Sequence, residues 1–293
     1  MKIGAFNIDE PIPKFKKPHA IAVLHPWIDA GNVGTLVLSR LEANLGAREL
    51  GKLVRPGNFF DFTRYRPVLY SREGELRVVV PNTLVTYARH EKENDFVFLH
   101  LMEPHMLAEM YVESVLLLMK RLGVNRYWLI GSMYDYVPHS RPLIVTGRAF
   151  GRAAKKELRE MGVQESSYEG PITITYLIAQ QAAELGIEAM TMVVHLPQYT
   201  QLDDDYMGQV RLMQVICSSY DFPMDKDDVR KAEEQKQQID TVVEKNPEVK
   251  AVVKQLEAHY DTRMANRLQE KTPKLSREVE SFLKEMERRF RAE

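Results

Sequence analysis

The sequence predicts an α/β fold with a mostly parallel sheet and an all-helical C-terminal extension, on three observations. The first is the segment His19–Leu41, HAIAVLHPWIDAGNVGTLVLSRL. Its apolar run Ile21–Leu24 reads as a buried strand, breaks at Pro26, passes a glycine-bearing turn, and resumes at helical spacing as Val33, Leu36, Val37 and Leu41. The second is that strand and helix patterns alternate through residues 1–223, which is how open layered sheets are built. The third is that all 15 glycines of the 293 residues lie at or before Gly208, so the remainder is left to helix formers dense in Lys, Arg, Asp, Glu and Gln.

The elements follow in order. Strands are expected at Ile21–Leu24, Glu49–Val54, Val68–Tyr70, Leu76–Val80, Phe96–Leu101, Arg126–Ile130, Ile144–Thr146 and Ala189–Leu196. Helices are expected at Val33–Asn44, His105–Leu122, Phe150–Met161, Ile172–Leu185 and Asp204–Ser219. Helices between successive strands demand parallel pairing, whereas Glu49–Pro81 lacks a crossover helix and suits hairpins or an edge. A boundary at Pro223 divides an α/β core, residues 1–223, from a helical extension, residues 224–293. In the extension Asn246-Pro247 stops the first helix. Val249, Val252, Val253, Leu256 and Tyr260 then form an amphipathic stripe, and Leu275, Val279, Phe282, Met286 and Phe290 a second one beyond Thr272-Pro273. Each stripe must bury itself, on the core or on another subunit.

Net charge is −1, and the extension holds 16 acids and 16 bases, so neither nucleic acid nor an anionic membrane is an expected partner. The single cysteine, Cys217, excludes an intramolecular disulfide and a thiolate metal cluster. The start, MKIGAFNIDEPIPKFKK, shows no apolar leader, and no stretch is long enough to span a bilayer, so a cytoplasmic protein is expected.

Four turns after expected strands carry chemistry, and each has two readings. In Trp27–Gly34, Gly31, Asn32 and Gly34 let backbone approach a ligand at a helix N-terminus, and Asp29 holds a hydroxyl or acts as a base; alternatively Asp29 caps the helix. In Gly131–Arg141, Arg141 suits a carboxylate or phosphate and His139 a proton transfer; alternatively Arg141 makes an ion pair in a loop stiffened by two prolines. Glu169, Gly170 and Thr173 contact a ligand or cap the helix that Pro171 opens. His195 and Tyr199 close the chain's last core strand, and Asp203-Asp204-Asp205 reads as a cap with its dipole complement rather than a cation site. His105, Glu109 and Glu113 share one helix face that could bind a metal but reads better as a solvated face, and no elbow motif surrounds Ser132. A parallel sheet gathers such turns at one edge, which makes one crevice the expectation. No nucleotide fingerprint and no nucleophile–base spacing accompanies it, and neither a cofactor nor a metal is expected.

The turn W-x-D-A-G-x-V-G, the segment P-H-S-R-P leading to Val145-Thr146-Gly147, the helix start Glu169-Gly170-Pro171 and the stretch HLPQYTQLDDD stand here in a familiar order. Together they resemble the proteasome assembly chaperone 2 family in its bacterial branch, over roughly residues 18–223. That resemblance implies a three-layer α/β/α domain similar to purine nucleoside phosphorylases, self-association, and, in eukaryotic and archaeal relatives, escort of proteasome subunits. Bacterial members are mostly of unassigned function. Some archaeal relatives end in a hydrophobic-Tyr-any residue motif, which the ending Arg288-Arg289-Phe290-Arg291-Ala292-Glu293 lacks. Nor is there a glycine-rich phosphate lid to fit the ATP-grasp-like label the family has carried.

The expectation is therefore a non-enzymatic, oligomeric interaction protein resembling proteasome assembly chaperones, with itself and a proteasome-type or other protein client as partners. Its working surfaces would be the two C-terminal stripes. The alternative is an enzyme or binding protein acting on a nucleoside-like or phosphate-bearing ligand in the strand-end crevice.

Overall fold

The computed structural model describes residues 1–72, 74–90, 94–266 and Ser281. The chain forms two compact units: residues 1–29, 34–131 and 147–192 make the first, and residues 30–33, 132–146 and the chain from Val193 onward make the second. The C-terminal helices thus share a unit with segments of the expected α/β core.

The large sheet has ten strands: β1 (Lys2–Ile3), β2 (Phe6–Ile8), β3 (His19–His25), β4 (Arg48–Leu53), β7 (Leu84–Ala88), β8 (Phe96–Met102), β9 (Arg126–Asp135), β10 (Val145–Phe150), β11 (Gln164–Glu165) and β12 (Glu188–Pro197). Their order is β1-β2-β4-β7-β8-β3-β9-β12-β10-β11. The expectation of a mostly parallel sheet is corrected here. β1–β2, β2–β4, β4–β7 and β7–β8 pair antiparallel, and β3 pairs parallel with β8 and β9. The reason lies in the connections. Helix α2 (Ala108–Leu122) returns the chain from β8 to β9, as a parallel neighbourhood requires, but the described residues of 46–95 contain no α-helix, so β4, β7 and β8 alternate in direction.

Both faces of the central strands are covered. Ala20, Ala22 and Leu24 of β3 and Val97, Leu99 and Leu101 of β8 share a core with Tyr111 and Val115 of α2 and with Ile178 and Ala182 of α4 (Ile174–Glu184). The alternate residues Ile21, Val23, Phe96 and Phe98 are equally buried. Helix α1 (Val33–Leu45) lies on that second face, where Glu42 meets His100 Nε2 at 2.8 Å and accepts from the Thr86 hydroxyl. Helix, sheet, helix is the three-layer arrangement, and it explains why β3 is apolar at every internal position.

Helix α2 starts three residues later than its periodicity predicts. The N–H groups of His105 and Met106 donate to Phe59 O at 2.7 and 3.2 Å, and Leu107 takes a left-handed φ of 52°, so helical geometry begins only at Ala108. Likewise Phe150 extends β10 instead of opening α3 (Arg152–Glu160).

Between β4 and β7 the chain makes a separate two-stranded hairpin, β5 (Val68–Arg72) with β6 (Glu75–Val79). Every described residue of both strands is exposed.

The second unit carries α5 (Tyr206–Tyr220), α6 (Lys226–Lys245) and α7 (Pro247–Asn266). Their starts are set by capping side chains. Asp205 accepts from Gly208 N at 2.7 Å, Asp225 from Asp227 N at 2.8 Å, and Asn246 from Glu248 N at 3.1 Å. Gln235 of α6 adds a clasp on α5, accepting from Tyr206 N at 2.9 Å while donating to Asp204 O at 2.8 Å. Among the described residues no helix is long and apolar enough to cross a membrane.

Candidate functional site

The candidate residues divide between the two units, and the arrangement in each is built from its own strand ends. In the first unit β3 and β8 run parallel with His25 opposite Met102, so the turn after β3 and Glu103 after β8 share the carboxyl edge. Asp29 is buried there and fully engaged: Oδ1 accepts from Gly34 N at 2.7 Å and Thr35 N at 3.2 Å, while Oδ2 accepts from the Thr35 hydroxyl at 2.6 Å and meets His25 Nδ1 at 3.1 Å. This is the capping reading of Asp29. Glycine at 34 eases this arrangement, since a Cβ there would stand 3.0 Å from Asp29 Oδ1.

Two residues not singled out from sequence complete this edge. Tyr65 accepts from the exposed Trp27 Nε1 at 3.1 Å, and Glu103 accepts from Ile174 N at 3.0 Å, capping α4 from another part of the chain. Burial pushes the Glu103 carboxyl up, against the hold of that N–H. Glu103 therefore draws the Glu169–Thr173 turn to the same edge. Thr173 sits at the N-cap of α4 without a cap bond and pairs instead with the Thr175 hydroxyl at 2.7 Å. Glu169 and Gly170 are exposed, and Tyr168 folds over Gly170 to donate to Pro171 O at 3.0 Å.

In the second unit the P-H-S-R-P segment is a clamp on the C-terminal helices. Arg141 makes a two-pronged pair with Asp261 of α7, at 3.0 Å through Nε and 2.9 Å through Nη2, and donates to Glu257 at 3.3 Å. Ser140 donates to the same Glu257 oxygen, and Tyr260 donates to Pro142 O at 2.8 Å. His139 is buried: Nδ1 pairs with Tyr199 OH at 2.5 Å and Nε2 with Asp240 of α6 at 3.0 Å. The phenol also accepts from His139 N at 2.8 Å. A carboxylate only accepts, so Nε2 carries the proton and the tyrosine hydroxyl donates to Nδ1. Burial pushes the imidazole below the ordinary histidine range, against the pull of Asp240.

A second imidazole relay stands nearby in the same unit. His195 Nδ1 meets Asp135 Oδ2 at 2.7 Å and Nε2 meets the Thr146 hydroxyl at 2.8 Å. Arg263 of α7 reaches the same Asp135 oxygen at 3.3 Å. Burial works against ionisation of Asp135, but His195 and Arg263 override it and hold the carboxyl at about 2. Hydroxyl, imidazole and carboxylate stand in the order of an acyl-transfer relay, yet here Arg263 makes the carboxylate a tether for α7. Gly31 and Asn32 belong to this unit as well. Gly31 has φ 57°, and a Cβ on it would fall 2.7 Å from Asp205 Cβ, while Asn32 donates to Asp204 at 3.1 Å. Ser132 donates to Ala30 O at 2.6 Å.

The first C-terminal stripe is buried within its own unit. Val253 and Leu256 form a cluster with Val243 and Tyr199, onto which Tyr136, Ile239, Val249 and Val252 pack, and Tyr260 is also buried. The second stripe, Leu275, Val279, Phe282, Met286 and Phe290, lies outside the described residues. Among the described residues no cluster of His, Cys, Asp and Glu is placed to hold a metal ion.

The fold that carries these corners is a layered mixed sheet in which Asp29, His139, Arg141 and His195 bond to groups of the chain itself. The family comparison then identifies it: residues 23–245 match the PAC2 family, and the chain belongs to that family. The fold recurs in solved structures. A Corynebacterium glutamicum protein of unknown function is 22% identical with a TM-score of 0.79, over 89% of this chain and 98% of that one. A Mycobacterium tuberculosis proteasome-assembly chaperone homologue is 24% identical with a TM-score of 0.71, over 80% and 99%. A Pyrococcus furiosus archaeal proteasome activator is 13% identical with a TM-score of 0.62, over 81% and 97%. At these identities the likeness is one of fold. No match was found among curated proteins.

Proposed function

We propose that this chain is a non-enzymatic, oligomeric interaction protein of the assembly-chaperone kind, working in the cytoplasm on a proteasome-type or similar protein client. One contrast carries the reading. Asp29, His139, Arg141 and His195 are bonded to this chain's own groups, while large apolar side chains of the β5–β6 hairpin face outward. Polar groups held in this way fix geometry, and outward apolar surface is what a protein partner covers. Family membership supports the same reading, as do relatives described as a proteasome-assembly chaperone homologue and a proteasome activator.

Affinity purification of the tagged full chain from its host, with mass spectrometry of co-eluting proteins, tests this. Ring-forming protease subunits in stoichiometric amount are expected. Recovery of the tagged chain with no other protein in stoichiometric amount contradicts a client role. A second reading, a small polar ligand at the carboxyl edge of the first unit, is favoured by the exposed Trp27 bonded to Tyr65. Trp27 is one of two tryptophans and Trp128 is fully buried, so quenching of the exposed fluorophore by nucleosides or inorganic phosphate supports that reading, and an unchanged spectrum removes it.

A further inference from the structure

We propose that the cavity between residues 57–64 and the His105-Met106 segment binds a small zwitterion of the α-amino-acid type with an apolar side chain, its carboxylate on Arg64 and its ammonium on Asp61. The proposal rests on the second reading above, a small polar ligand at the carboxyl edge of the first unit, and names the ligand's chemical class and the groups that take it.

The cavity has a volume of about 700 Å³, the size of a small-molecule site. It stands where open α/β sheets collect ligands: His105 follows β8 and Trp27 follows β3, whose parallel ends meet at Met102 and His25. Its two walls are bonded to each other. The N–H groups of His105 and Met106 donate to Phe59 O, and Asp61 N donates to His105 Nδ1 at 3.3 Å. The Tyr65 ring meets the His105 ring edge-on at 4.7 Å, and its hydroxyl accepts from Trp27 Nε1. The left-handed φ of Leu107 belongs to the same construction. By holding off helix α2 until Ala108, it leaves His105 and Met106 on the cavity wall instead of on a helix face. A bulky residue in that conformation marks a place where surrounding contacts dictate the backbone.

Charge then selects the ligand. Asp61 Oδ1 accepts from Thr63 N at 2.8 Å and from the Thr63 hydroxyl at 2.7 Å, which leaves Oδ2 without a bond among the described residues. The Thr63 bonds hold the carboxyl below the ordinary carboxylate range, and the nearby Arg64 charge adds to that. Arg64 lines the same cavity, yet no ion pair joins it to Asp61, and its guanidinium bonds to no described residue. An acid and a base that line one cavity without meeting leave a gap that a molecule carrying both charges spans. A lone anion would meet the Asp61 charge and a lone cation the Arg64 charge, so the two select against both. The planar fork of Arg64 suits a carboxylate, and Asp61 Oδ2, which only accepts, suits an ammonium. Since His105 Nδ1 accepts, Nε2–H is left as a further donor. Phe60, Phe62 and Met106 line the cavity with apolar surface, which an uncharged side chain covers.

Isothermal titration calorimetry of the full chain with L-phenylalanine tests the proposal, against two probes that each lack one of its charges, hydrocinnamate and phenethylamine. L-Phenylalanine is expected to bind saturably at one site per chain, and each half-charged probe more weakly by roughly tenfold. Arg64→Met should lose that binding at the wild-type melting temperature, since its guanidinium bonds to no described residue. Asp61→Asn keeps an acceptor for Thr63 and should bring L-phenylalanine down to the level of hydrocinnamate, while hydrocinnamate itself binds no more weakly. The inference is overturned if none of L-phenylalanine, L-leucine and L-methionine gives saturable heat. Equal affinity for L-phenylalanine and either half-charged probe also overturns it, as does an Arg64→Met variant that binds like the wild type. Should Arg64→Met fail to fold, Asp61→Asn decides: unchanged L-phenylalanine affinity there overturns the inference too. The second reading is scored separately, by fluorescence. Quenching by nucleosides or inorganic phosphate, with no heat from the amino acids, loses this inference and keeps that reading.

Discussion

Asp29 fixes the first helix of the layered unit with one carboxylate that serves two backbone N–H groups, a hydroxyl and an imidazole. Replacing it with alanine strips the cap and leaves buried donors unpaired, a loss of about 2 kcal/mol, read as a lower urea midpoint at unchanged slope. A variant as stable as the wild type would mean that the carboxylate is free for other work. Histidines give a second residue-scale prediction. Burial, aided by Arg126, takes His19 from 6.5 down to about 4, and burial also lowers His139. A folded-state value below the unfolded one means the unfolded chain takes up protons first. The His19 contribution is complete above pH 6.5 and is lost as pH falls toward 4, roughly 3 kcal/mol, and that of His139 has the same sign. Denaturant midpoints between pH 7 and pH 4.5 should fall accordingly, and His19→Gln should flatten the curve. Asp135, held at about 2, contributes stability that is present above pH 4 and begins to fail only in stronger acid.

At the scale of elements, helix α7 is held by a core and by a clamp. Leu256 is fully buried beside Tyr199, Val243 and Val253, so Leu256→Ala should cost about 2–4 kcal/mol by calorimetry without changing the mass of the assembly. A change of mass at unchanged stability would assign the stripe to a partner. Arg141→Ala should lower the melting temperature through lost contacts to Asp261 and Glu257. The helices α6 and α7 were legible because their signals are local: Asn246-Pro247 stops the first, and the apolar spacing repeats in the second. β3 was legible from four consecutive apolar residues. What sequence could not show is pairing across long separations. β7 is a short segment, Leu84–Ala88, with weak alternation, and the antiparallel pairing of Phe6 with Leu53 leaves no trace in either segment. The same holds for Glu103 capping Ile174 and for Arg141 meeting Asp261, 71 and 120 residues apart. The candidate residues could be found from turn chemistry, but whether each faces a ligand or its own chain depends on such distant partners.

For the whole molecule, two surfaces of similar composition have opposite fates. The α7 stripe, which reads in sequence as a partner surface, is buried in its own unit. The hairpin, which reads as an edge, keeps its apolar residues outside. Large apolar groups left outward at 68–80, and polar groups at 29, 139, 141 and 195 bonded within the chain, are the contrast on which the proposed interaction role rests. Amide hydrogen exchange of the unmodified chain, measured free and with the proteins that co-elute with it, reads both surfaces at once. Exchange in 68–79 should slow markedly in the complex, while Val253–Tyr260 stays slow in both samples. Hairpin exchange that ignores the partner, with α7 becoming protected only in the complex, would contradict the assignment of both surfaces.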